Sequence, residues 1–438
     1  MSWQNEYKKK FVSPEEAVKV VRSGDTVVIP ADCEPQALST ALMNRKDELQ
    51  NVRVLIREPR YDLGWLRGDF GNAFDVVLDT HPGGVGAKAM RESGVGFIPI
   101  LYGLRFKRAH DTRREAENIE VIMIVVSPPD NNGFCSFGLY LGHKRDYIKR
   151  AKTVLAEVSD TPAMRVRVPG SNYIHVSDID NFVEHIPVPV QLPQRRPDQL
   201  SKQIAEYVST IVRDGDTVQL GIGLPSFLPS LGAFDGKHDL GIHSPVISLE
   251  LLELVRRGIV TGKHKNLHPD KCVSTGFRGV QTKEDIALIY GNPMFEVYDT
   301  SYVNDIRVIA SNDRMAAING ILGIDLSGQI AADTIGMHML GGAGGQVDFA
   351  IGATLSKGGC SIAVLRSTTS KGNASRIVPT FETGTIVTIP WTFTDYVVTE
   401  YGIAKLLGKS RKHRAEELIA IAHPDFRAEL AKQAQRLF

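Results

Sequence analysis

Cysteine is scarce in this 438-residue sequence: Cys33, Cys135, Cys272 and Cys360 lie far apart, with no metal-ligand spacing. That excludes a disulfide-dense secreted scaffold and a zinc module, and points to reduced thiols in a cytoplasm. Neither sign of charge is in excess, since 51 Lys and Arg against 50 Asp and Glu leave a net charge of +1. No chain-wide footprint for nucleic acid or an anionic membrane follows from that balance, although a local basic pocket for a phosphorylated ligand stays allowed. Long apolar runs are missing too. The aliphatic stretch Val121–Val126 has the length of a buried strand, not of a membrane span. The charged opening MSWQNEYKKKF has no apolar segment behind it and does not read as a secretory signal. There is no G-x-S-x-G elbow, no P-loop and no H-E-x-x-H, and the twelve histidines form no metal cluster in sequence. Neither a metal, a nucleic acid nor a membrane is expected as a partner.

What the chain does contain is a repeat of itself. Val21-Arg-Ser-Gly-Asp-Thr-Val27 returns as Val212-Arg-Asp-Gly-Asp-Thr-Val218. Each copy follows a helical pattern and leads into a short aliphatic strand, Thr26–Ile29 or Thr217–Leu220. Ser13-Pro14-Glu15-Glu16 opens the first helix as a capping box, with Ala17, Val20 and Val21 on one face. Leu200, Ile204, Val208 and Ile211 mark the second helix. The period is far too long for a solenoid, so a duplicated domain is expected. Further aliphatic stretches at 52–56, 75–78, 97–101, 153–158, 306–310, 362–365 and 385–389 read as strands. Alternation with helices predicts an α/β protein: two tandem related domains with mostly parallel sheets and a cleft between them. The proline-rich stretch 186–197 reads as an extended linker between domains 1–185 and 198–438.

Two glycine clusters stand where such sheets bind ligands. Gly221-Ile222-Gly223 directly follows the strand of the second repeat, and Gly341-Gly342-Ala343-Gly344-Gly345 is denser still. Glycines at strand ends let backbone N–H groups approach anionic or carbonyl oxygens, although a tight turn explains an isolated G-x-G equally well. His81-Pro-Gly-Gly-Val-Gly-Ala contains G-x-G-x-x-A, but the match is short and is interrupted by His81-Pro82. Phe134, Phe137 and Tyr140 are candidates for an acyl pocket or for the core.

The order of motifs VSPPDNNGF (126–134), GIG (221–223), DLGIH (239–243), SGQIAADTIG (327–336), GGAGGQVDF (341–349), TDYVVTEYGIA (394–404) and IAHPDF (421–426) resembles the class I CoA transferases of the acetyl-CoA hydrolase and 4-hydroxybutyrate CoA-transferase family. The resemblance spans nearly the whole chain. It implies two domains of one fold, coenzyme A held mainly by the C-terminal half, acyl-CoA and a small carboxylic acid as partners, and a homo-oligomer. It also implies a glutamate nucleophile two residues after His243. This chain has Pro245 there, and the downstream residues stay in register without a gap.

Proline offers no side-chain nucleophile, so another carboxylate is needed for double displacement. Glu58 in Leu55-Ile-Arg-Glu-Pro-Arg60 ends a first-domain strand between Arg57 and Arg60, which are expected to keep it ionised. Glu250 sits in a following helix that points it away, and Asp130 reads as a turn residue. His243 is a further candidate by position, weighed against a structural hydrogen bonder. The readings left open are CoA transfer, hydrolysis or lysis of a CoA-linked acid with a carboxylate as base, and CoA binding without turnover.

Overall fold

The computed structural model describes all residues except 1, 34, 61, 107–117, 186–197, 281 and 343; the expected linker therefore lies outside the described residues. The chain forms two compact units, Met1–Leu192 with Ser274–Tyr302, and Pro193–Val273 with Val303–Phe438. The excursion of residues 274–302 back into the first unit has no counterpart in the sequence repeat.

In the first unit, Ser13 Oγ accepts from the Glu16 amide at 3.2 Å and caps α1 (Pro14–Ala17). The helix then tightens to a 3₁₀ turn over Val18–Val20. With three residues per turn, Val18 and Val21 stack inward and Val20 is left 38% exposed, so Val18 replaces Val20 on the buried face. The sheet runs in the order β4 (Gly96–Ile98), β3 (Phe74–Asp79), β2 (Val52–Arg57), β1 (Thr26–Ile29), β5 (Ile119–Val126), β6 (Ala151–Val158), β7 (Asn181–Glu184). Every one of these pairings is parallel. Burial on both faces explains why the strands read as continuous aliphatic runs.

The second unit repeats the plan. Asp198 caps α2 (Gln199–Ile211), which buries Ile204, Ala205 and Val208. Consecutive strands run β9 (Gly241–Ser244), β8 (Thr217–Leu220), β10 (Met315–Gly320), β11 (Cys360–Val364), β12 (Tyr396–Thr399), β13 (Gly402–Lys405). All of these neighbours pair in parallel except β12 and β13. The duplicated heptapeptide builds the same turn twice. Gly24 and Gly215 take left-handed φ of 84° and 73°. Asp25 and Asp216 each accept from the amide three residues before, at 2.8 Å.

Two expected strands are absent. Residues 306–310 form α4 (Ile306–Ala310), because the Asp305 carboxylate takes the Arg307 amide at 2.8 Å and caps a helix. A short aliphatic run carries no period of its own, and the cap decides it. Residues 385–389 are irregular apart from one bridge between Ile389 and Ile330. Ahead of α4 lies α3 (Leu249–Arg256), capped by Ser248, and beyond it α5 (Gln346–Leu355).

Candidate functional site

The candidate residues stand at the carboxyl ends of the parallel strands in each unit, where such sheets bind ligands. In the first unit the chain leaves β1, β2 and β3 through three non-glycine residues in the left-handed region: Asp32 (φ 49°), Glu58 (φ 45°) and Thr80 (φ 61°). Backbone strain of this kind costs about 1–3 kcal/mol per residue and persists where surrounding contacts over-determine it.

Arg278 ties two of them together. Its Nη2 donates to Glu58 Oε2 at 2.8 Å and its Nε to Asp32 Oδ2 at 3.2 Å, while the guanidinium lies 5.2 Å from the Tyr140 ring centre. Arg60 also pairs with Asp32. Burial by itself pushes the Asp32 carboxyl up, but Arg278, Arg60 and Lys144 outweigh it and hold the group below its ordinary value. The arginines flanking Glu58 in sequence are therefore not its ion-pair partners. Arg57 turns away into a buried network, with Nε 2.9 Å from Asp79 Oδ1, one nitrogen 2.9 Å from Thr80 Oγ1 and the other 2.5 Å from His143 Nδ1. Glu58 Oε1 has no hydrogen bond within the described residues. A small cavity of about 10 Å³ lies alongside Glu58, lined by Ile29, Cys33, Ile56, Leu63 and Trp65 together with Arg57 and Asp62.

Of the other first-unit candidates, Asp130 accepts from the amides of Asn132 and Phe134 at 2.8 and 2.9 Å and pairs with Arg167, which is turn chemistry. Phe137 is buried, Phe134 is 41% exposed against His175, and Tyr140 lies beneath Arg278.

In the second unit the two glycines after β8 are needed for different reasons. A Cβ on Gly221 would sit 2.5 Å from Asn319 Oδ1. Asn319 and Gln219 exchange two amide hydrogen bonds, at 3.1 and 2.9 Å, beneath that glycine. Gly223 faces open space but takes φ 83° and ψ −134°, a conformation only glycine adopts readily. Ile222 between them is 57% exposed.

At the end of β9, His243 is fully buried and its Nε2–H donates to the Val303 carbonyl at 2.8 Å. Burial, reinforced by Lys265, pushes its pKa to about 3, so the ring is neutral. Lys265 itself donates to the Ile242 and Lys271 carbonyls at 2.9 Å. Both contacts brace the strand end that carries Pro245. The dense glycine loop arrives beside it: a Cβ on Gly345 would meet Asn304 Nδ2 at 2.3 Å and Pro245 Cγ at 3.6 Å. Asn304, fully buried, donates to Asp348 Oδ2 at 3.2 Å on α5. Gly344 takes φ 56°, and the amides of Leu340 and Gly341 donate to the Asp333 carbonyl at 2.9 and 3.2 Å. Gly342 is partly exposed on the same loop. Glu250 sits in the first turn of α3, five residues beyond Pro245 in sequence.

Sequence reasoning missed Arg278, Asp32 and Asn304. None stands in a recognisable motif with the residue it contacts, so periodicity offered no signal for them. Among the described residues, no group of three His, Cys, Asp or Glu could hold a metal, and no helix is long and apolar enough to cross a membrane.

Residues 1–192 match the acetyl-CoA hydrolase/transferase N-terminal domain, and residues 282–434 its C-terminal domain. The chain is 37% identical to a 4-hydroxybutyrate coenzyme A transferase of Clostridium kluyveri, over 100% of each sequence. It is 34% identical to a succinyl-CoA:cyclohexane-1-carboxylate CoA transferase of Geobacter metallireducens, over 100% of this chain and 97% of that one. The crystal structure of RipA from Yersinia pestis superposes with a TM-score of 0.89 at 32% identity, covering 100% of this chain and 99% of RipA. With both domains matched and relatives aligned end to end, this chain belongs to the acetyl-CoA hydrolase/transferase family.

Proposed function

We propose that this protein transfers CoA between an acyl-CoA thioester and a small carboxylic acid, as its relatives are named to do. The observation that carries the reading is the packing of the glycine loop at Gly345 against Pro245, the position that the family resemblance assigns to the nucleophile. In the second unit Gly221, Ile222, Gly223, Gly341, Gly342, Gly344, Gly345 and Pro245 are the proposed CoA contacts, with His243 as a neutral support. The sequence-derived domains, 1–185 and a CoA-binding 198–438, stand as proposals, with residues 274–302 packing in the first unit, in a cytoplasmic homo-oligomer.

Transfer needs a carboxylate, and we assign it to Glu58. Its strained backbone and its unbonded Oε1 support a reactive role, and Arg278 keeps Oε2 fixed. The carboxylate attacks the thioester carbon, the C–S bond breaks, and a mixed anhydride forms with CoA thiolate as leaving group. The thiolate then attacks the Glu58 carbonyl, expelling the first acid and leaving a glutamyl-CoA thioester. The acceptor carboxylate attacks that thioester, forming a new mixed anhydride and expelling CoA thiolate, and the thiolate then attacks the acceptor's acyl carbon to give the new acyl-CoA and restore the Glu58 carboxylate.

The absence of a carboxylate at Pro245 favours one second reading, in which Glu58 acts as base on water and CoA is released by hydrolysis. Incubating the protein with an acyl-CoA and an isotopically labelled acid separates the two. Label in a new thioester is the expected result; free CoA with no labelled thioester overturns transfer in favour of hydrolysis. If neither forms, a melting temperature raised by CoA indicates binding alone. Ligand at about a hundred times its dissociation constant adds ~2.7 kcal/mol of stability, and no shift at all removes the CoA reading.

A further inference from the structure

Glu58 changes charge in the course of the reaction assigned to it, and its neighbours do not. In the resting protein the linked ion pairs set two cations, Arg60 and Arg278, against two carboxylates, Asp32 and Glu58. Lys144 adds a further positive charge near Asp32, with its ammonium 2.6 Å from the Tyr140 carbonyl. In the mixed anhydride and in the glutamyl-CoA thioester, Glu58 is neutral. Arg278 Nη2 then faces an uncharged acyl group, and the cluster carries one positive charge more than before. A largely desolvated guanidinium that has lost its anion is costly, and another carboxylate offsets that cost with charge-assisted hydrogen bonds.

The guanidinium is held in place independently of Glu58. Its Nε donates to Asp32 Oδ2 at 3.2 Å, and the Tyr140 ring lies against it with its centre at 5.2 Å. Asp32 is buried and stays ionised, so this anchor persists when Glu58 loses its charge. The terminal nitrogens form the remaining edge. Nη2 is bonded to Glu58, and Nη1 donates to no described residue. With 27% of the side chain exposed, that edge is open to a small solute. A carboxylate seated on it lies beside the carbon it has to attack, since Nη2 is already 2.8 Å from a Glu58 carboxyl oxygen.

We propose that Arg278 is the receptor for the acceptor acid's carboxylate, passing from Glu58 to the acid once Glu58 is acylated. This rests on the assignment of Glu58 as nucleophile. An oxygen of the bound acid attacks the glutamyl carbonyl carbon, the C–S bond breaks, and its electron pair leaves on CoA thiolate. Glu58 and the acid are then joined in the mixed anhydride, with no proton gained or lost. In the resting protein the Glu58 carboxylate occupies the guanidinium and repels a free acid, so the charge change itself makes the acid bind after acyl-CoA.

The test pulses the full chain with acyl-CoA to form the CoA adduct, then chases it with acetate or with hydroxylamine, for the parent, Arg278→Gln and Arg278→Lys. Arg278→Gln is expected to need about tenfold more acetate for half-maximal discharge, the loss of a charge-assisted hydrogen bond. Discharge by hydroxylamine, a neutral nucleophile, should be unchanged, and Arg278→Lys should recover part of the loss. Calorimetric titration with acetate reads the same site without turnover. Glu58→Gln removes the competing charge and should bind acetate about tenfold more tightly than the parent, a gain that adding Arg278→Gln abolishes. Equal slowing with both nucleophiles overturns the proposal, and so does a Glu58→Gln variant that binds acetate no better than the parent. If Arg278→Gln forms no adduct, the titration decides. A parent that forms no adduct overturns the Glu58 assignment and this site with it, whereas a parent adduct with the same acetate dependence in Arg278→Gln overturns this site alone.

Discussion

Glu58 and Arg278 lie 220 positions apart and meet at 2.8 Å, while Pro245 and Gly345 come together at the other unit's strand edge. These pairs frame a residue-level prediction about where the covalent intermediate forms. Denaturing mass spectrometry after incubation with acyl-CoA should show a CoA adduct on the parent that Glu58→Gln lacks. The same substitution should lower kcat at least about a hundredfold, within the range for loss of a positioned catalytic carboxylate. Introducing Pro245→Glu into the Glu58→Gln background should restore both adduct and transfer, since the glycine loop already packs at that position. An adduct that survives in Glu58→Gln would identify a different nucleophile. A folded double variant that binds CoA without reacting would mean that the second-unit pocket is shaped for other chemistry.

At the level of the element, the turn after β8 separates a glycine required by packing from one required by conformation. Gly221→Ala drives a methyl group into Asn319 and breaks the buried amide pair with Gln219, a loss of about 1–3 kcal/mol. Gly223→Ala meets no neighbour and costs about 1–3 kcal/mol through its backbone angles alone, which the turn can relieve by changing shape. The expected outcome is a lowered melting temperature for Gly221→Ala, and weakened CoA binding for Gly223→Ala. Equal CoA affinity in the Gly223 variant would leave that glycine a turn former only. The same scale accounts for the missed helix at 306–310: its five residues are as aliphatic as a strand, and one capping carboxylate chose the helix.

For the whole molecule, pH acts in opposite directions through two carboxyls, those of Asp32 and the half-buried Asp299. Burial, with Asp146 nearby, raises Asp299 from 3.8 to about 7, and its Oδ1 has no hydrogen-bond partner. Between those values the folded state holds a proton that the unfolded state has lost, so stability falls as pH rises from about 4 to about 7 and levels off above. Asp32 has the reverse sign: its folded pKa lies below the ordinary value, so its contribution is present above about 4 and is lost as pH drops through the lowered pKa. Asp299→Asn should therefore raise the melting temperature at about pH 8 and flatten the decline between about pH 5 and 7. An unchanged profile would show that Asp299 ionises in the folded protein as it does in the unfolded chain.

The duplicated heptapeptide, its two Gly-Asp turns and the aliphatic strands that follow were legible in the sequence because each is a local pattern: a cap, a turn, a run of fixed period. From them followed the α/β class, the tandem organisation and the strand ends where Glu58, Gly221 and Gly223 stand. The ordered motifs also carried the family resemblance and, through it, the expectation that Pro245 stands where the family has its nucleophile. Local pattern said nothing of the excursion of residues 274–302 into the first unit, which brings Arg278 to Glu58 and releases Arg57 and Arg60 to Asp79 and Asp32. Nor did it reveal that Asn304 would press on Gly345. Ion pairs and close contacts of that kind depend on side chains meeting across hundreds of residues, and only the packing of the chain fixes which of them meet.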